Sequence, residues 1–179
     1  IKTEFKEKYN IEVLEQLSFN NTYTMAVTRE FARKYGLENI SDLRKVAADM
    51  RSGTTFEFSN RDDGLPGLEK TYRFKIGQTL TVDGSPRYAA LVNGEVDVVD
   101  AFSTDGLLKK FDLKTLRDDK NFFPPYRAMP IIRAESLAKN KEIVPVLELL
   151  VDVLTDDVMI ELNYRVDELQ ESPQTVANS

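Results

Sequence analysis

Ser85-Pro86-Arg87-Tyr88-Ala89-Ala90-Leu91-Val92-Asn93-Gly94-Glu95-Val96-Asp97-Val98-Val99-Asp100-Ala101-Phe102 reads as a helix followed by a strand. Ser85 stands at an N-cap position, Pro86 takes the first helical position, where its missing N–H is no loss, and Gly94 falls just past the end. Val96, Val98 and Val99 then open a β-rich run that closes on Phe102. Only a turn joins the two elements, and short helix-to-strand connections are the mark of an α/β sheet.

The same alternation extends outward on both sides. Upstream, Thr22 to Val27 is a β-rich run, Thr28 caps a helix through Tyr35 that Gly36 ends, and Ser41 caps a second helix through about Met50. Thr54 to Ser59 alternates, with Phe56 and Phe58 on one face and Glu57 on the other, which predicts a strand. A polar turn over Asn60 to Pro66, a helix near Gly67 to Tyr72 and a short strand at Thr79 to Val82 follow. Downstream, Leu113 to Leu116 and Met129 to Ile132 are further strands. The order predicts a mainly parallel sheet covered by helices. After Arg133 the pattern is purely helical: Ile143 to Leu154, then a helix capped by Thr155 to about Val166, then one begun by Ser172-Pro173. Residues 22–132 therefore read as one lobe. The flanks, 1–21 and 133–179, belong together elsewhere, and their helical patterns at both ends read as a piece of something longer.

Composition narrows the chemistry. The 179 residues include no His and no Cys, so there is no disulfide, no thiolate zinc site and no His-dependent nucleophile. With 24 basic against 30 acidic side chains and a formal charge of −6, the chain lacks the clustered cations that nucleic acid requires. No apolar run reaches a membrane span, because Glu148 and Asp152 interrupt Ile143 to Leu154. Asn60-Arg61-Asp62-Asp63-Gly64 has oxygen ligands but no later bidentate Glu, so it reads as a turn and not a calcium loop. Asp97, Asp100 and Asp105 would be the carboxylates of a hydrolase if they converged, although acidic residues at strand ends are ordinarily solvated. No metal or cofactor is expected.

The aromatic residues carry more. Tyr23 opens a strand after Asn20-Asn21-Thr22, Phe102 closes one, and Tyr126 follows Pro124-Pro125 in a stiff loop. Each taken alone is more often a packing residue. Taken together in an acidic chain, they suggest a cage for a cation that cannot donate a hydrogen bond, with each ring face worth roughly 0.5–2 kcal/mol.

Several segments then carry a resemblance. They are Asn21-Thr22-Tyr23-Thr24, Ile40-Ser41-Asp42-Leu43, Asp63-Gly64-Leu65-Pro66-Gly67-Leu68, Gly94-Glu95-Val96-Asp97-Val98-Val99, Phe102-Ser103-Thr104-Asp105-Gly106, Asp118-Asp119-Lys120-Asn121-Phe122-Phe123-Pro124-Pro125-Tyr126 and Leu162-Asn163-Tyr164-Arg165-Val166-Asp167. In this order the chain resembles the substrate-binding proteins of bacterial osmoprotectant ABC importers, which take up glycine betaine, carnitine and choline. The resemblance implies a type II periplasmic-binding-protein fold: one complete α/β lobe plus the C-terminal helices of the other, with the N-terminal part of the first lobe absent. It implies no enzyme, and a place at the extracellular face of the bacterial cytoplasmic membrane, lipid-anchored or fused to the permease that is its partner.

By the same resemblance, a quaternary amine lies against Tyr23, Phe102 and Tyr126, while a further family Tyr has no counterpart here. Many relatives have Tyr where this chain has Phe102, which keeps a ring face and loses a hydroxyl. Asn21, Ser103 and Thr104 are the nearby donors for the other end of the ligand. The alternatives are an effector-sensing domain of a transcription regulator, which shares the architecture, and a carboxylate hydrolase. Apolar surface on the flanks makes a dimer the expected self-association.

Overall fold

The computed structural model describes residues 1–179 as two β-ladders with helices around them. The chain opens with α1 (Lys2–Tyr9) and β1 (Ile11–Val13), then enters the larger body through β2 (Tyr23–Thr28) and α2 (Arg29–Tyr35). Two 3₁₀ turns, Ile40–Lys45 and Ala47–Asp49, lead to β3 (Arg51–Thr54), α3 (Phe56–Asn60), α4 (Leu65–Tyr72), β4 (Gln78–Thr81), α5 (Pro86–Val92) and β5 (Val98–Phe102). After α6 (Gly106–Lys110) and β6 (Leu113–Leu116), the chain leaves through β7 (Ile131–Arg133) into α7 (Ala134–Lys139), α8 (Ile143–Val153), α9 (Asp156–Asp167) and α10 (Pro173–Ala177).

The larger sheet has the order β4-β3-β5-β2-β6. β3 is parallel to both β4 and β5, while β2 is antiparallel to β5 and to β6. Four strands therefore share one direction and β2 alone runs against them, so the sheet is mixed, with two parallel and two antiparallel ladders, where the sequence predicts a mainly parallel one. That reversal matters, because it brings the first residue of β2 to the edge where the parallel strands end, and Tyr23 pairs directly with Phe102. Ligands of open α/β sheets bind beyond that edge.

Both faces of the sheet are covered, which is why its central strands are buried nearly throughout, β2 and β5 largely with apolar side chains and β3 with the small Ser52, Gly53 and Thr54. Met25, Val27, Val98 and Leu116 face a core shared with Leu43, Phe58, Leu68 and Tyr72, while Ala26, Val99 and Ala101 face one shared with Tyr88, Leu91 and Leu108. The period of two along β2 sorts Met25 and Val27 to one side and Ala26 to the other. No side-chain nitrogen or oxygen is buried without a hydrogen bond.

Three local readings change. Thr54 to Ser59 is a strand only at its first residue. From Phe56 the chain is helical, because Thr55 Oγ1 accepts the Phe58 N–H and carboxylates distant in sequence, Asp83 and Asp100, accept the N–H groups of Phe56 and Thr55. Phe58 is fully buried and Phe56 is 64% exposed, the opposite of a shared strand face. The segment after Ile40 is 3₁₀ and not α-helical, and Ser41 donates to Asp119 while Asp42 accepts the Glu38 and Asn39 N–H groups. At α5, Ser85 takes helical angles and its side chain makes no cap bond, although Pro86 and the left-handed Gly94 (φ 73°) stand where the sequence puts them.

The flanks do meet, since β1 pairs antiparallel with β7 and α7 packs beside them. The helical tail divides, however. α9 returns to the larger body and lies on α6, where Asn163 Nδ2 donates to the Thr104 carbonyl at 2.8 Å and Lys109 and Lys110 pair with Glu161 and Glu168. Gly106 permits this contact: a Cβ there would stand 2.5 Å from the Tyr164 backbone nitrogen. Gly106→Ala is expected to destabilise the fold by about 1–3 kcal/mol through overpacking, read as a lower denaturant midpoint.

Candidate functional site

The rim of the larger sheet is built by short-range rules. β5 ends at Phe102 because the chain turns into α6, and Asp105 Oδ2 accepts the Phe102 N–H at 3.0 Å, which fixes the turn. Across the ladder, the Tyr23 ring stacks on Phe102 with centroids 4.5 Å apart and planes 30° off parallel. Behind them lie Phe58 and Phe123, whose centroids are 5.2 and 6.0 Å from that of Tyr23. The ring pair is thus the outer course of an aromatic core. Burial, with the negative charges of Glu57 and Asp100 adding to it, pushes the Tyr23 phenol up, so it is neutral at physiological pH.

Two incoming segments complete the rim. Residues 17–22 lead into β2, and residues 124–130 lead away from the larger body. They are laced together: the Asn21 N–H donates to the Tyr126 carbonyl at 3.2 Å, the Tyr126 N–H to Asn20 Oδ1 at 2.6 Å, and Thr22 Oγ1 to the Pro124 carbonyl at 2.9 Å. Asn20 is the knot of this lacing, since its own N–H also donates to Asp156 at the start of α9 and its carbonyl accepts the Ser103 hydroxyl. Tyr126 is thereby held at the rim while its side chain is about half exposed.

A cavity of about 480 Å³ opens between these parts, lined by Phe19, Asn21, Tyr23, Arg61, Phe102, Tyr126, Arg127 and Ala128. Tyr23, Phe102 and Tyr126 therefore come together, and Asn21 joins them. Tyr126 stacks on neither partner, whereas Tyr23 and Phe102 cover one of each other's faces. Ser103 and Thr104 do not line the cavity. The Ser103 hydroxyl donates to Asn20 and accepts the Thr22 N–H, and Thr104, 4% exposed, donates to Asn21 Oδ1 at 2.8 Å. Their donor capacity is already engaged, and the Thr104 bond leaves the amide nitrogen of Asn21 as the donor that group can offer.

Four lining residues escape a reading by motif: Phe19, Arg61, Arg127 and Ala128. Phe19 stands immediately before the Asn-Asn-Thr-Tyr run, and its position beside that run is the one cue to it. Arg61 lies in the segment that reads as a polar turn. It follows α3 directly, donates from Nε and Nη2 to Asp63 at 2.7 and 2.6 Å, and donates from Nη1 to Glu57 at 2.6 Å. These bonds raise the guanidinium pKa further and hold the Asp63 carboxyl below its ordinary range. Three of the five guanidinium N–H donors are bound, leaving two for a ligand.

The other acidic candidates separate. Asp63 is bound to Arg61; Asp97, just before β5, pairs with Arg51; Asp100 is buried against Thr55 and Arg87; and Asp105 lies past the far end of β5. Asp100 and Asp105 do share a neighbour, but it is the Arg87 guanidinium, 3.7 and 3.6 Å from them, and each carboxylate also accepts a backbone N–H, so they are held as ion-pair partners. A larger cavity of about 590 Å³ lies on the other side of Phe102, but it is walled by Asp105, Asp167 and Glu168, and its Tyr88 hydroxyl is bonded to Asp105. It offers few free ring faces, and the smaller cavity is the better candidate. No helix is long and apolar enough to cross a membrane.

Comparison with known proteins agrees with this architecture. The chain is 38% identical over 177 residues to the ergothioneine transport permease/ergothioneine binding protein EgtU of Helicobacter pylori strain G27, covering 99% of this chain and 32% of that protein. It is 33% identical over 178 residues to the carnitine transport binding protein OpuCC of Listeria monocytogenes, covering 99% of this chain and 58% of that one. A crystal structure described as a glycine betaine/carnitine/choline ABC transporter superposes with a TM-score of 0.93 at 37% identity, over 99% of this chain and 65% of that chain. The chain thus spans between a third and just under two thirds of the length of the proteins it matches, and its fold is that of the periplasmic binding proteins. Those relatives are named for binding and transport, not for a reaction. The family described as the substrate binding domain of the ABC-type glycine betaine transport system matches residues 1–179 from end to end, and the chain belongs to that family.

Proposed function

We propose that the protein is an extracytoplasmic solute receptor that takes a quaternary ammonium compound at the rim cavity and delivers it to an ABC permease in the membrane. The observation that carries this reading is one cavity lined by both rings and guanidinium groups: Tyr23, Phe102 and Tyr126 with Arg61 and Arg127. A trimethylammonium group has no proton to donate, so ring faces are its best partners, each worth roughly 0.5–2 kcal/mol. Arg61 would repel that group were it bare, but Asp63 and Glu57 neutralise it. Its two remaining donors suit a carboxylate.

The ligands named for the relatives support this polarity. Glycine betaine, carnitine and ergothioneine each join a trimethylammonium group to a carboxylate in one molecule, whereas choline ends in a hydroxyl. The proposed ligand is therefore a trimethylammonium acid, with its cation on the rings and its carboxylate toward Arg61 and the Asn21 amide. Thr104 acts behind Asn21 and sets the orientation of its amide, while Ser103 holds the flanking backbone of Asn20 and Thr22. The reading takes residues 22–132 as one lobe and residues 1–21 and 133–179 as part of the other, with α9 reaching across. The receptor is held at the outer membrane face by a lipid or by fusion to its permease. None of the relatives named above is a transcription regulator, and a dimer through the flanks has only their exposed apolar side chains, such as Ile1, Tyr9, Val146 and Leu149, in its favour.

Calorimetric titration of the full-length protein with glycine betaine, carnitine, ergothioneine and choline tests the assignment; binding of none of the four would end it. Tyr126→Ala is expected to weaken every ligand by about tenfold or more, and Tyr126→Phe to keep most of the affinity, because the ring face and not the hydroxyl carries the contact. Arg61→Met is expected to cost the carboxylate-bearing ligands about tenfold while choline changes little, so unchanged preference would remove Arg61 from the site.

A further inference from the structure

Arg87 is 6% exposed, an unusual place for a guanidinium, and nothing in the proposed site touches it. Its Nε donates to the Asp100 carbonyl at 2.8 Å and its Nη1 to the Gly84 carbonyl at 2.6 Å. It also stands 3.7 Å from the Asp100 carboxylate and 3.6 Å from that of Asp105. Taking the Arg87 and Asp100 charges out of water is costly even with the partly exposed Asp105 beside them, and an apolar cluster of similar volume is often at least as stable. Stability alone therefore does not account for the triad.

Each carboxylate leads to a different wall of the rim cavity. Asp105 accepts the Tyr88 hydroxyl and the N–H of Phe102, so it fixes the residue that stacks on Tyr23. Fully buried Asp100 accepts the Thr55 N–H at 2.9 Å and the Thr55 hydroxyl at 3.1 Å. Thr55 in turn caps α3 by accepting the Phe58 N–H at 3.2 Å, and Arg61 is the residue on which α3 ends. One branch thus ends at the ring wall and the other at the cationic wall.

We propose that Arg87, Asp100 and Asp105, with Thr55 and Tyr88 as their outer links, are positioning residues: the Asp100–Thr55 branch places Arg61 and so sets the choice between ligands with and without a carboxylate, while the Asp105–Tyr88 branch places Phe102 and so sets the affinity for both. The inference rests on the assignment of the cavity to a trimethylammonium ligand. The branches are separable by selectivity. Damage to the Asp100 branch shifts Arg61 and touches only carboxylate recognition, whereas damage to the Asp105 branch shifts Phe102 and touches every ligand alike.

The test is calorimetry on the full-length protein with glycine betaine and choline as probes, with a thermal melt recorded for each variant. Thr55→Val, which keeps the shape and removes the hydroxyl, is expected to weaken glycine betaine about tenfold and choline less than about twofold. Thr55→Ser should restore the wild-type preference. Tyr88→Phe and Asp105→Asn are expected to weaken both probes by the same factor and leave their ratio unchanged; Tyr88→Phe removes one donor only and serves if Asp105→Asn does not fold. Equal losses for both probes in Thr55→Val, or lower melting temperatures with both affinities intact in all variants, would overturn the proposal. Failure of the wild-type protein to bind either probe would instead strike the ligand assignment.

Discussion

The antiparallel insertion of β2 between two parallel strands is the constraint on which the rest depends. Had β2 run with its neighbours, Tyr23 would lie at the amino edge of the sheet and Phe102 at the other. Reversal places both at one rim, in register, with centroids 4.5 Å apart. The same reversal requires the chain to arrive at that rim from outside the larger body, so residues 17–22 meet residues 124–130 there. The cavity follows from strand direction before any side chain is chosen.

Electrostatics then decides what such a rim can hold. Ring faces favour a cation, and the neutral Tyr23 phenol adds no charge of its own. Arg61 is the counterweight, and its pairing with Asp63 and Glu57 converts a repulsive charge into a directional pair of donors. Farther in, every buried polar side-chain atom has a partner, which is what allows Asp100 and Arg87 to lie within the protein at all.

The sequence discloses elements whose determinants are close together along the chain. Pro86 and Gly94 bracket α5, Thr28 caps α2 through the Phe31 N–H, and Thr155 caps α9 through that of Val158. It misleads where the determinant is remote. Phe56 and Phe58 alternate as in a strand, but Asp83 and Asp100, distant by 27 and 45 residues, draw the backbone into α3. β1 is three residues long and exists by pairing with β7, more than a hundred positions later, which no local period signals. At the site the aromatic residues are legible because they stand at the ends of β-rich runs. Ser103 and Thr104 look equally available as donors, and only the fold reveals that Asn20, Asn21 and Thr22 occupy them. Arg61 is hidden by its company, since a cation among Asn, Asp and Gly reads as a turn.

The stack of Tyr23 on Phe102 has a bearing on which parts of the rim tolerate change. Those rings continue into Phe58 and Phe123, so altering either one perturbs folding as well as recognition. Tyr126 stands alone on an exposed loop and Arg61 ends a short helix, and both can be exchanged with little disturbance to the interior. Side-chain change at this rim therefore meets least resistance at the loop and the helix end, while the stacked pair is tied to the interior as the floor beneath them.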